Sequence, residues 1–331
     1  MNEYFYGVGR VRALEAKMLS SAQVARMAAA SDFQSAFGVL SETTYAEHLT
    51  KIKHPFDFEE ICALELVTLK KLLEDLAPQN EILTALFRKY DFLNLKILVR
   101  SYFSELKETA LYSKAGTIAF EKLKLYVFDG IKEIDHKEIL EAVDLAKSIY
   151  EHTKDPQAVE MALDKQYLLF LKRVCDASPS RLIQEMVQHQ IDLTNIKIIF
   201  RSQALKKDKK FLEGALLEPG MIGKDILLEL HDKSPQDISS RLSFTPYFPA
   251  LVEGIEYFSK YKSFYVLEKL ADNYILNQFR KAKYLSSGIE PLVGFYLAKE
   301  AEIKSVRFIL ICKRTHIGSE QIKNRLRVSY A

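Results

Sequence analysis

The segment Asp91-Phe-Leu-Asn94-Leu-Lys96-Ile97-Leu-Val-Arg100-Ser101 returns as Asp192-Leu-Thr-Asn195-Ile-Lys197-Ile198-Ile-Phe-Arg201-Ser202, with six identities in eleven positions at a constant offset of 101 residues. Self-similarity of this kind means that the chain is assembled from related units rather than around one irregular core. The likeness continues downstream, where the stretch opened by Ala115-Gly116 parallels the one opened by Pro219-Gly220. A weaker copy lies at Glu302-Ile-Lys-Ser305-Val306-Arg307, in which an acid, a small polar residue and a cation take the places of Asp91, Asn94 and Lys96. Weaker still is Tyr6-Gly-Val-Gly-Arg10-Val-Arg12, with Arg12 where the lysine would stand. Spacings of about 84, 101 and 110 residues are too long for a solenoid. They predict three pseudo-equivalent units, with the terminal copy closing the set: residues 1–88, 89–189 and 190–299, then a closing segment 300–331.

The units read as helical. Val159, Leu163, Tyr167, Phe170 and Val174 recur at steps of four, four, three and four, one face of a helix. Ile61, Leu64, Leu69, Leu72, Leu73 and Leu76 make a similar face. Asp155-Pro156, Ser178-Pro179 and Ser234-Pro235 each set a capping oxygen before a proline suited to the first helical position. With 12 glycines and 9 prolines in 331 residues, turn formers are too scarce for a many-stranded sandwich or barrel. The segment from Ser243 to Ala250 reads as a packed loop between helices. The expected class is therefore all-α.

Around Lys96 the sequence is apolar on nearly all sides, which predicts a buried helix whose few polar groups need partners. Asp91 and Asn94 share a face, expected in the first turn, where a carboxylate suits the positive end of the helix dipole. Lys96 and Arg100 form a short cationic stripe that Lys197 and Arg201 repeat. Two readings follow. These cations pair inside the fold, or they line an inner surface common to the units and face an acidic partner. On the second reading Arg10, Arg12, Lys96, Arg100, Lys197, Arg201 and Arg307 are the candidate partner-binding residues.

Net charge is +3, too near balance to mark a nucleic-acid binder. The last 52 residues nevertheless carry eleven Lys/Arg against four acids. The basic tail (Lys313, Arg314, Lys323, Arg325, Arg327) lacks interleaved stacking aromatics. It reads as a solvated face or a contact with anionic headgroups or an acidic protein. Cys62, Cys175 and Cys312 are scattered, which argues against disulfides and zinc and for a reducing compartment. No apolar run approaches the ~18 residues of a membrane span, and no signal peptide is visible.

Catalytic patterns fail one by one. Gly7-Val-Gly9 begins a dinucleotide fingerprint, but Arg12 stands at the third glycine, and Gly223-Lys224 is followed by Asp225 rather than Ser or Thr. The seven histidines are dispersed and read as surface or capping residues. No D-D-x-x-D set for magnesium and no G-x-S-x-G elbow occurs. No catalytic residue, cofactor or metal is expected.

The ordered motifs resemble the C subunit of the prokaryotic V/A-type rotary ATPases, the family that includes the d subunit of the eukaryotic V-type ATPase. The likeness lies in Tyr6 to Leu19 (YGVGRVRALEAKML), Leu40-Ser-Glu-Thr43-Thr-Tyr45, Tyr90-Asp91-Phe92-x-Asn94-Leu95-Lys96 and its second copy at Asp192, and Glu302-Ile-Lys-x-Val-Arg307 with Gln321 to Arg327. Cys312 stands where the family has a glycine, and Ser305 where it has an Asn-like residue. The resemblance implies an all-helical, pseudo-three-fold funnel that catalyses nothing. Such a protein sits peripherally on the cytoplasmic face of the membrane, binds central-stalk subunits and the proteolipid rotor ring, and transmits torque for ion transport coupled to ATP hydrolysis or synthesis. An unrelated helical scaffold or adaptor, and a helical lyase, are the alternatives.

Overall fold

Apolar residues at three- and four-residue spacing become helices throughout residues 4–104, 112–217 and 220–328, which the computed structural model describes, and no strand occurs among them. Pro219 lies outside the described residues. Nine described helices have eleven residues or more: α1 Phe5–Glu15, α2 Phe58–Leu76, α3 Glu81–Ser104, α4 Lys137–Thr153, α5 Pro156–Asp176, α6 Arg181–Ala204, α7 Phe248–Tyr261, α8 Tyr265–Phe279 and α9 Glu290–Arg314. Two of the three expected helix starts hold. Asp155 caps α5 through Gln157 N, and Ser234 caps a short helix from Pro235 through Asp237 N. At Ser178-Pro179 the helix begins later, at Arg181, because the Ser178 hydroxyl accepts from Ser180 N and its carbonyl accepts from the Gln184 side chain in a turn.

One compact unit is Pro78–Val187, and the other joins Met1–Ala77 to Gln188–Ala331. Within the first, α3 packs on α5 and α4, and α4 on α5. Within the second, α9 packs on α1, α2 and α8, and α7 on α8. Two apolar cores lie among the described residues of that larger unit. One sets Met27, Tyr45, Phe58 and Ile61 against Val306, Ile309 and Leu310 of α9. The other sets Ile196 and Phe200 of α6 against Leu251, Ile255 and Leu267 of α7 and α8.

The repeated Asp and Asn hold loops. Asp91 lies deep in α3, not in a first turn, since nothing between Glu81 and Asp91 interrupts the helix. Its carboxylate serves another segment. Thr117 N and Thr117 Oγ1 donate to Asp91 Oδ2 at 2.9 and 2.6 Å, and Ile118 N donates to Oδ1 at 3.0 Å. One turn on, Asn94 exchanges two bonds with the backbone of Ser113, at 2.9 and 2.8 Å. The second copy repeats the backbone bonds and takes its hydroxyl from a different residue. Asp192 accepts from Met221 N, Ile222 N and Tyr247 Oη at 3.0, 3.1 and 2.7 Å, and Asn195 exchanges two 2.8 Å bonds with Leu217.

The third copy uses a longer acid. Glu302 of α9 accepts from Leu19 N at 2.6 Å and from Tyr45 Oη at 3.1 Å. Ser305 does not copy Asn94; its hydroxyl donates to Ala301 O in its own helix. The clamped loop here comes from the start of the chain and the clamping helix from its end, so this copy is built from both.

Glycine is required where the loop backbone lies against the carboxylate. A Cβ on Gly116 or Gly220 would fall within 3.0 Å of Asp91 Oδ1 or Asp192 Oδ1. Gly9 of α1 has open space around it. We therefore expect Gly116→Ala and Gly220→Ala each to lower unfolding free energy by about 2–4 kcal/mol, because the loop must leave its acceptor. Gly9→Ala should be neutral or stabilising by up to about 1 kcal/mol. Urea titrations of the three variants check this.

Candidate functional site

The cations singled out by the repeat emerge from the helices that carry the clamps. Lys96 of α3 pairs with Asp164 of α5, and Arg100 pairs with Glu160. In the other unit, Arg201 of α6 meets Glu268 of α8 at 2.6 Å. Lys197 is half-buried beside the same helix. Burial lowers its pKa, with Asp272 and Glu268 favouring the ammonium and Arg201 and Lys304 opposing it. Arg307 of α9 meets Glu59 of α2 at 2.8 Å.

The acids follow a repeat of their own. Lys154 and Lys262 both end a helix in the left-handed region, at φ 53° and 52°. The residue after each caps the next turn: Asp155 accepts from Gln157 N at 2.9 Å and Ser263 from Tyr265 N at 3.4 Å. Glu160 and Glu268 follow six residues after the lysine and Asp164 and Asp272 ten after it, all at an offset of 108. The pattern occurs a third time, where His54 follows Lys53, accepts from Phe56 N at 3.2 Å and precedes Glu59. Arg307, aligned with Lys96 by sequence, thus takes the part of Arg100. The recurring K-x-x-x-x-x-E spacing was the available signal for these partners.

Three Arg–Glu pairs therefore lie in corresponding places. Their arginines remain outward: Arg100, Arg201 and Arg307 side chains are 66%, 57% and 56% exposed. Exposed pairs of this kind contribute only about 0–1 kcal/mol. The two α1 residues behave differently. Arg10 is exposed. Arg12 gives both Glu15 oxygens a bond, at 3.0 and 2.8 Å, and its other nitrogen donates to Ala282 O at 2.6 Å and Leu285 O at 3.3 Å. Lys96 and Arg100 belong to one compact unit and the other five cations to the second.

Part of the basic tail is engaged within the chain, while Arg314 and Lys323 stay exposed as the solvated face that the sequence suggests. Buried Lys313 donates to Ala30 O and Ser319 Oγ, Arg314 lies over Phe58, Arg325 lies over Tyr265, and Arg327 meets Asp272 at 2.7 Å.

Sequence reasoning also passed over a buried ionic network. His48 is fully buried and meets Glu65 at 2.8 Å; Lys299 meets Glu65 at 2.5 Å and Glu302 at 2.6 Å. Burial works against the Lys299 ammonium, yet Glu302 and Glu65 hold its pKa above the ordinary lysine value. Glu47, His48 and Glu65 offer one ligand atom each within 4.8 Å. Lys299 on Glu65 and Lys51, 3.3 Å from His48 Nδ1, supply the positive charge that a metal would bring. All three cysteines are free and buried, and burial pushes the thiols of Cys62 and Cys175 up to about 12.

This arrangement binds its own loops and presents charge. The family model for the ATP synthase (C/AC39) subunit matches residues 7–325, and the chain belongs to that family. The family is a structural rather than a catalytic part of the complex. Over 345 residues the chain is 28% identical to the C subunit of the A-type ATP synthase of Methanocaldococcus jannaschii, covering 98% of this chain and 86% of the relative. It is 26% identical over 325 residues to the C subunit of the V-type sodium ATPase of Enterococcus hirae, covering 97% of both. The C subunit of the A-type ATP synthase of Pyrococcus horikoshii is 24% identical over 335 residues, covering 97% of this chain and 89% of its own length. Similarity along nearly the whole chain does not favour an unrelated adaptor or a lyase.

The clamps make a pH-dependent prediction. Burial raises the Asp192 carboxyl above its ordinary pKa, against the lowering bonds from Tyr247, Ile222 and Met221. A folded pKa above the unfolded one means that the group's contribution is full below about 3.9 and is lost as pH rises through the folded value. Asp192→Asn opposes one backbone N–H with its amide and should cost about 1–3 kcal/mol. Because asparagine does not titrate, that cost should be larger near pH 4 than near pH 7, as measured by urea unfolding at both.

Proposed function

We propose that this chain is the non-catalytic coupling subunit of a V/A-type rotary ATPase, joining the central stalk to the membrane rotor ring and passing torque between them. Membership of the family and the names of the full-length relatives support the complex. The thrice-used clamp carries the finer reading. A torque-bearing part needs stiff junctions, and each buried carboxylate fixes the register of a loop that would otherwise shift. The three-unit division at residues 1–88, 89–189 and 190–299 with a closing segment 300–331, and the funnel about a pseudo-three-fold axis, belong to this proposal. No described helix is long and apolar enough to cross a membrane, which suits a peripheral seat on the cytoplasmic face of the ring.

The outward arginines, with Lys96, Lys197 and Arg10, are the proposed grip on an acidic surface of the stalk, whereas Arg12 is held by Glu15 and the Ala282 and Leu285 carbonyls. An arginine that shares a glutamate with its own chain can also give a bond to a second carboxylate, since its guanidinium carries five donors. Affinity isolation of the tagged chain from its native membranes should recover a central-stalk protein and the ring proteolipid; recovery of neither refutes the reading. The triple variant Arg100→Ala/Arg201→Ala/Arg307→Ala should lose stalk recovery while its melting temperature falls by only a few degrees, because the three pairs are exposed.

A further inference from the structure

The short helix Arg280–Tyr284 ends in the most exposed large hydrophobic side chain among the described residues: Tyr284 is 90% exposed, and its neighbour Leu285 is 43% exposed. Arg280, Lys281 and Lys283 share this turn, and no Asp or Glu occurs from Phe279 to Ile289. The turn is held from beneath. Ala282 is fully buried, and Arg12 of α1 straps the carbonyls of Ala282 and Leu285 while both oxygens of Glu15 hold Arg12 in place. Lys283 has Glu15, Arg280 and Arg12 as charged neighbours.

We infer that this corner, the 280–285 turn strapped by Arg12, seats on an anionic phospholipid surface. A phenol and an aliphatic side chain that project together from a fixed backbone suit the boundary between headgroups and acyl chains. The flanking lysines and arginine suit the negative potential of an anionic leaflet. Leu285 gives an acidic protein surface nothing that charge alone would need, whereas a bilayer accepts both groups at once. The inference needs neither stalk nor ring and stands or falls apart from the rotary reading.

The chain has no tryptophan, so Tyr284→Trp places its sole indole at the tip. Its emission should shift to the blue on mixing with phosphatidylcholine vesicles that contain phosphatidylglycerol, not with pure phosphatidylcholine, and added salt should reverse the shift. Adding Lys281→Gln and Lys283→Gln in that background should weaken the response about thirtyfold. Tyr261→Trp, also exposed, should not respond. No shift with anionic vesicles, an equal shift from Tyr261→Trp, or indifference to the glutamines overturns the inference. A shift given by polyglutamate but not by vesicles overturns it in favour of an acidic protein.

Discussion

Each repeat depends on a carboxylate buried in the middle of a long helix and satisfied by backbone N–H groups of another segment. Asp91, Asp192 and Glu302 all do this. Burial of such an acid is offset by these bonds, joined by Arg88 at Asp91 and by Lys299 at Glu302. The dependence runs both ways. The loop amides of Ile118, Ile222 and Leu19 would be buried donors without an acceptor if the acid were absent. Loop register, the glycines at 116 and 220, and the entry point of the next helix follow from that contact. A part that carries load gains from such junctions, since they cannot slide without exposing both partners.

How much of this was readable beforehand depends on the residue. Helical periodicity and the scarcity of turn formers were sufficient for the all-α class, because both are local properties. The repeat at Asp91 and Asp192 was visible as identities, but its purpose was not: the acceptor's donors are backbone atoms, which leave no residue signature. Position within the helix was misjudged for the same reason, as the dipole argument treats an acid as serving its own helix. The match of Leu40-Ser-x-Thr43-x-Tyr45 to Leu242-Ser-x-Thr245-x-Tyr247 was legible and was missed. Both tyrosines close a clamp, and both threonines donate to the leucine carbonyl at 2.7 Å.

Charge divides into two populations that sequence cannot separate. Lys299 lies in the interior between the carboxylates of Glu65 and Glu302, where removing one member leaves its neighbour uncompensated. Arg100, Arg201 and Arg307 lie at the surface in pairs that matter little to stability and stay available to a partner. A local excess of cations at the end of the chain therefore said nothing about a basic face. Lys313, Arg325 and Arg327 turn inward, whereas Arg314 and Lys323, and further back Arg280, Lys281 and Arg307, stay exposed.

Native-state hydrogen exchange at the amides of Leu19, Ile118 and Ile222 tests the clamps most directly. If the three carboxylates hold their loops as rigidly as the helices that bear them, these amides exchange only with global unfolding, at the same free energy as the α3, α6 and α9 interiors. Exchange at the rate of open loop amides, with the helices still protected, would contradict the account.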